Sequence, residues 1–165
     1  MKYLIDSNVF ITASRGFYSF AFGSAFWDFL LQEAQNNRVA SIDKVLDEIN
    51  KGNDELKSWA NKKFSDYFLN TKTEQVLEQY ARLMQWAETE RAYKQIAIDE
   101  FMEEDNADTW LIAYAMTDPK EYKLVTFEKP NNDIKRKIPI PNVCKHFQIG
   151  YCDLYEMLKD LKFKF

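Results

Sequence analysis

Tyr3-Leu4-Ile5-Asp6-Ser7-Asn8-Val9-Phe10 is the stretch on which the reading of this chain turns. Three apolar residues form a run short enough for a buried strand, and the polar triplet Asp6-Ser7-Asn8 interrupts it before a second apolar run begins. In open α/β sheets ligands bind in the crevice outside the carboxyl ends of the strands, so a carboxylate at that point is placed to face a site. Three later acids, Glu48, Asp108 and Glu128, stand in similar places, each beside an apolar segment where a strand meets a helix. Together they suggest a divalent-metal site.

Working outward, residues 9–13 can begin a short helix, and residues 17–31 read as a second one, with Phe22, Phe26, Phe29 and Leu30 at helical spacing. Val39-Ala40-Ser41-Ile42 reads as a strand, and the helix after it carries Val45, Leu46 and Ile49 on one face and stops at Lys51-Gly52. Residues 53–104 hold no convincing strand and are read as a helical insertion. Residues 105–116 are almost wholly apolar after an acidic start, as expected of a helix packed between a sheet and its neighbours. Lys123-Leu124-Val125-Thr126 is a strand, residues 129–141 a flexible loop and Asn142-Val143-Cys144 a last short strand. A final helix has Leu154, Met157, Leu158 and Leu161 in phase. Strands alternating with helices predict an α/β domain with a parallel sheet, one domain over residues 1–165.

The formal charge of −4 is not that of a general nucleic-acid binder, so any such binding rests on a local basic patch or on metal ions. Cys144, Cys152 and the single histidine, His146, make no zinc pattern and are read as structural, which fits a reducing cytoplasm. No apolar stretch suits a signal-peptide core or a membrane span, so a membrane is not expected among the partners.

Acids without neighbouring histidine or cysteine suit magnesium or manganese far better than zinc. Two carboxylates about 4 Å apart repel by roughly 4 kcal/mol at an effective dielectric of 20, and only proton uptake or a bound cation relieves that. Each acid also has a plainer reading. Asp6 could be a turn residue with Asn8 merely starting a helix, and Glu48 could lie on a solvated face beside Asp47, about 100° away around the helix. Asp108 could simply serve the first turn of its helix, capped from Asp105, and Glu128 could be a loop acid beside Lys129.

In order, Ile5-Asp6-Ser7-Asn8, Val45-Leu46-Asp47-Glu48-Ile49, Ala107-Asp108-Thr109-Trp110-Leu111-Ile112-Ala113-Tyr114-Ala115 and Val125-Thr126-Phe127-Glu128 resemble the motifs of the PIN-domain nucleases. Phe26-Trp27-Asp28-Phe29-Leu30, Ser41-Ile42-Asp43-Lys44-Val45 and the tail from Lys137 to Phe163 look like a less characterised prokaryotic PIN-like subfamily, so the resemblance spans nearly the whole chain. Glu128 departs from the pattern, standing where the family usually has Asp. The resemblance implies a three-layer α/β/α fold and cleavage of single-stranded RNA by a metal-dependent endoribonuclease. It implies that Asp6, Glu48 and Asp108 hold Mg2+ or Mn2+ and that Glu128 completes the catalytic set through water. Ser7, Asn8 and Thr126 would orient carboxylates or waters. Many bacterial relatives are toxins neutralised by an antitoxin protein, which adds that partner to the expectations, and a homodimer is left open.

Lys129, Lys135, Arg136 and Lys137 follow Glu128 and could contact RNA phosphates, with a solvated basic loop as the alternative. Phe17, Tyr18, Phe20 and Phe22 could stack bases, although core or partner contacts are favoured for them. Two other functions compete. A haloacid-dehalogenase-like phosphatase also begins with a strand and an Asp, but it needs a second Asp two residues on, where Asn8 stands. A catalytically silent PIN-like module that binds RNA or protein is the other.

Overall fold

The computed structural model describes residues 1–164. The chain runs through β1 (Lys2–Ile5), α1 (Ser7–Arg15), α2 (Ser24–Gln35), β2 (Val39–Ile42), α3 (Asp43–Asn50), α4 (Glu55–Lys62) and β3 (Phe68–Leu69). It continues through α5 (Glu74–Thr89), α6 (Gln95–Met102), α7 (Ala107–Met116), β4 (Tyr122–Val125), α8 (Ile140–Phe147), β5 (Gly150–Cys152) and α9 (Leu154–Asp160). The strands form one sheet in the order β3-β2-β1-β4-β5, with every pairing parallel. Helices cover the sheet in a three-layer α/β/α arrangement, as the alternation of apolar runs and helical periods predicts.

Burial explains why the central strands read as continuous apolar runs. Leu4, Ile5, Val39, Ala40, Ile42, Leu124 and Val125 are all buried, as parallel strands covered on both faces must be. The α7 helix lies in the interior, with Leu111, Ile112, Ala113 and Ala115 fully enclosed, which is why it lacks a polar stripe. Phe10 of α1 meets Phe64 edge-on at 5.9 Å, and Trp59 of α4 stacks on Phe64 at 4.8 Å. That aromatic cluster fastens the chain after α3 to the body of the domain.

Four sequence expectations change. The stretch 53–104 does contain a strand, since Ser41 and Ile42 of β2 pair with Phe68 and Leu69. Two residues are too few to display a period, so β3 leaves no pattern to read. The helix expected over 17–31 starts only at Ser24, after hydrogen-bonded turns in which the Gly23 N–H donates to the Ser19 carbonyl at 2.6 Å. A Cβ at Gly23 would come within 2.5 Å of the Tyr18 Cα, so glycine is required there. Asn142, Val143 and Cys144 lie in α8 rather than in a strand. Pro141 sits in the first turn of α8, where a missing N–H is tolerated, and Gln148 ends the helix in the left-handed region at φ 57°. The last strand is β5, which pairs with β4. Finally, Asn106 rather than Asp105 caps α7, its side-chain oxygen accepting from the Asp108 N–H at 3.1 Å.

The strand order puts the site where the topology reverses. From β1 the chain moves outward through β2 and β3, then returns to the opposite side of β1 with β4 and β5. Ile5 and Val125 are register partners at the carboxyl ends of β1 and β4, so Asp6 and Thr126 leave the sheet side by side at the switch point.

Candidate metal centre

Asp6 is the N-cap residue of α1, yet its carboxylate caps nothing in that helix. Both of its oxygens are used laterally. The Thr126 hydroxyl donates to Oδ2 at 3.2 Å, and the Ser7 hydroxyl lies 3.4 Å from Oδ1. The residue is 1 % exposed. Burial, followed by the negative charge of Glu128 and with a smaller contribution from Glu48, pushes the Asp6 carboxyl up to about 6, against the lowering effects of Thr126 and Lys137.

Glu48 comes to the same place from α3. Helical rotation leaves Asp47 exposed and turns Glu48 inward, where the Ser7 hydroxyl donates a short hydrogen bond to Glu48 Oε2. The single Ser7 proton therefore ties α1 to the acid of α3, and the Asp6 oxygen only lies nearby. Asp108 arrives in the first turn of α7, partly buried, and its carboxyl is held well above the ordinary range by desolvation and then by the charges of Asp6 and Glu128. Both aspartates stand at helix amino ends, where the macrodipole favours negative charge. Asn8, Glu48, Lys51, Asn106, Asp108 and Lys137 line one cleft of about 300 Å³.

Glu128 is engaged differently. Oε2 accepts from the Ile140 N–H at the start of α8 at 2.7 Å, and Oε1 pairs closely with the Lys137 ammonium. The Glu128 N–H donates to Thr126 Oγ1 at 3.2 Å. Both carboxylate oxygens are thus committed inside the protein, while the charge still acts on Asp6 and Asp108.

The basic segment divides. Lys137 faces the cleft, Lys129 lies 3.5 Å from Asp153 at the start of α9, and Lys135 Nζ donates to the Asn132 carbonyl at 2.8 Å. Arg136 is exposed. The segment is also less free than its composition suggests. Asn142 accepts from the Asn131 N–H at 3.0 Å and donates to the Asn131 carbonyl at 2.9 Å, and the Lys94 N–H donates to the Lys135 carbonyl at 2.8 Å. The aromatic segment divides too: Tyr18 stacks on Phe26 at 4.2 Å and Phe20 on Trp27 at 4.3 Å, whereas Phe17 and Phe22 are 92 % and 93 % exposed. Cys144 and Cys152 are buried free thiols, and His146 packs against Trp86 at the surface.

Sequence reasoning missed Lys51, which shares a helix face with Glu48 at a spacing of three residues, and the outer acids Glu100, Glu103 and Asp105 on the cleft wall. The spacing of Lys51 was visible. The outer acids depend on how α6 and the turn after it fold over the cleft.

Among the described residues no three His, Cys, Asp or Glu side chains are drawn close enough together to form a ready-made metal cage. The predicted ligands on the cleft wall, Asn8, Glu48 and Asp108, offer oxygen, while Asp6 and Ser7 lie buried beside them rather than on the wall itself. Burial first, and then the charges of Glu128 and Glu48, raise the Asp6 carboxyl to about 6 despite Thr126 and Lys137. That donor set fits a hard divalent cation and not zinc. Among the described residues no helix is long and apolar enough to cross a membrane.

Neither the curated proteins nor the solved structures contain a match to this chain. A family model, described as a domain of unknown function, DUF4411, matches residues 3–165. Asp6, the helix that carries Glu48 and the amino end of α7 that carries Asp108 all fall within that match, and the chain belongs to the DUF4411 family.

Proposed function

We propose that the protein is a PIN-like, metal-dependent endoribonuclease acting on single-stranded RNA. The observation that carries this reading is the placement of a buried aspartate with a raised pKa at the switch point of a parallel sheet, in electrostatic contact with Glu48 and Asp108. Structural stability alone gives no reason to bury like charges in this way.

Asp6, Glu48 and Asp108 would hold Mg2+ or Mn2+. When bound, such an ion supplies the Lewis acidity that activates water and the charge that offsets the phosphate. Thr126 fixes one oxygen of Asp6, and Ser7 fixes one oxygen of Glu48. Asn8, exposed at the rim, can orient water or a phosphate oxygen. Lys137 adds a fixed positive charge against which an RNA phosphate can rest. Glu128 positions Lys137 and α8 and need not touch the ion.

The test is cleavage of an end-labelled single-stranded RNA with Mn2+, by the wild type and by Asp108→Asn. We expect cleavage that is lost in the variant and on chelation. Cleavage that survives both would sink the proposal. A catalytically silent RNA- or protein-binding module is the second reading, favoured by the internal commitment of Glu128. It would bind RNA in the presence of chelator and show no turnover. Turnover of a phosphomonoester would instead indicate a phosphatase. An antitoxin partner and a cytoplasmic location belong to the same proposal, and a small antitoxin-like reading frame beside the gene would support both.

A further inference from the structure

We propose that Lys137 is a built-in cation of the acidic cleft, locked in place by Glu128, and that the cleft consequently takes one divalent ion rather than two. The inference rests on the metal-dependent reading above and adds a stoichiometry to it. A chain of contacts leads from the central acid to this lysine. Asp6 accepts from the Thr126 hydroxyl, Thr126 Oγ1 accepts from the Glu128 N–H, and Glu128 Oε1 pairs with the Lys137 ammonium.

The other Glu128 oxygen accepts from the Ile140 N–H, so the carboxylate that grips the lysine is itself fixed at the amino end of α8. The backbone on either side is anchored as well, since Ile138 and Ile140 are buried and Asn142 ties back to Asn131. A lysine held at both its backbone and its ammonium loses little further freedom in the site, unlike one on a loose loop.

Two lysines line the cleft, Lys51 and Lys137. It is Lys137 whose charge acts on both Asp6 and Asp108, favouring their ionised forms. A second divalent ion in this cleft would share its wall with that ammonium, and the like charges would repel.

Mn2+ titrations of the wild type, Lys137→Gln and Lys137→Arg at pH 7.5 test this, with bound ions counted by the resonance signal of free Mn2+ and affinities taken from calorimetry. The Lys137 side chain is 46 % exposed, so the variants are expected to fold, and circular dichroism checks that they do. The wild type and Lys137→Arg should bind one ion per chain. Lys137→Gln should bind its first ion at least about tenfold tighter and admit a second. Two ions in the wild type would overturn the inference and leave the metal reading standing. One ion in Lys137→Gln with an affinity within about twofold of the wild type would do the same. No Mn2+ bound by the wild type would overturn both.

Discussion

Replacing Asp6 by Asn should make the metal-free protein more stable, and the gain should depend on pH. The folded state raises the Asp6 carboxyl from 3.8 to about 6, so the fold holds that proton more tightly than the unfolded chain does. Stability then falls as pH rises from about 4 to about 6, and above that window ionised Asp6 costs roughly 3 kcal/mol, at 1.36 kcal/mol per pH unit. Asn removes this penalty and also relieves Asp108, whose carboxyl is raised in part by Asp6. Asn still offers an acceptor to the Thr126 hydroxyl, and the preference of that hydroxyl for the ionised form is already contained in the value of about 6. The net gain is about 3 kcal/mol at pH 8 in chelator, or roughly 6–12 °C in Tm for a chain of this size. At pH 4 most of the gain should be gone, because folded Asp6 is then protonated while the unfolded carboxyl, at 3.8, is near its midpoint. Millimolar Mn2+ should raise the Tm of the wild type and leave the variant unmoved. Urea and thermal unfolding at pH 4, 6 and 8, with and without Mn2+, measure all of these. A variant less stable than the wild type at pH 8 in chelator, or one with the same difference at pH 4 and pH 8, would refute the reasoning.

Ser7→Ala should weaken Mn2+ binding by about tenfold or more, since it removes the hydroxyl that orients Glu48, and calorimetry measures this. Glu128→Ala should destabilise the protein by about 1–2 kcal/mol in urea unfolding, because the Ile140 N–H at the start of α8 loses its acceptor. Glu128→Gln, which keeps an acceptor there, should lose clearly less. Asn142→Ala breaks the contacts to Asn131 and Tyr93 and should speed amide exchange across residues 129–139 by roughly tenfold, while α7 amides stay protected. Unchanged exchange in that segment would show that the staple does not hold it.

How far the site could be read from sequence depended on whether local chemistry or long-range packing decides each residue. Asp6 was legible because an acid directly after a short apolar run stands out, and the choice of Glu48 over Asp47 follows from helical rotation alone. The same logic has a counter-example in Asp43, which follows β2 as Asp6 follows β1. Its carboxylate accepts instead from the Thr71 N–H at 3.1 Å and the Thr71 hydroxyl at 2.8 Å, tying α3 to the chain after β3. Nothing near Asp43 in sequence announces Thr71. Strand β3 was hidden for a related reason, since two residues have no period and only pairing with β2 defines them. The segment 142–144 went wrong because a short apolar run fits strand or helix equally, and Pro141 in a first helical turn was the overlooked signal.

Glu128 shows why residue type and residue role part company. Its position after β4 marks it as a site acid, and its charge does reach Asp6 and Asp108. Its contacts, however, go to the Ile140 N–H at the start of α8 and to Lys137 on the cleft wall, twelve and nine residues further on. A glutamate has one methylene more than an aspartate, which gives it the length to span from the strand end to the start of α8. Thr126 is left free to serve Asp6 from the same turn. Glu128 thus joins the acidic cleft to the loop and helix beyond it through a single side chain. A change at Glu128 should therefore register in the stability of α8 as well as in the cleft, whereas a change at Asp108 should register in the cleft alone.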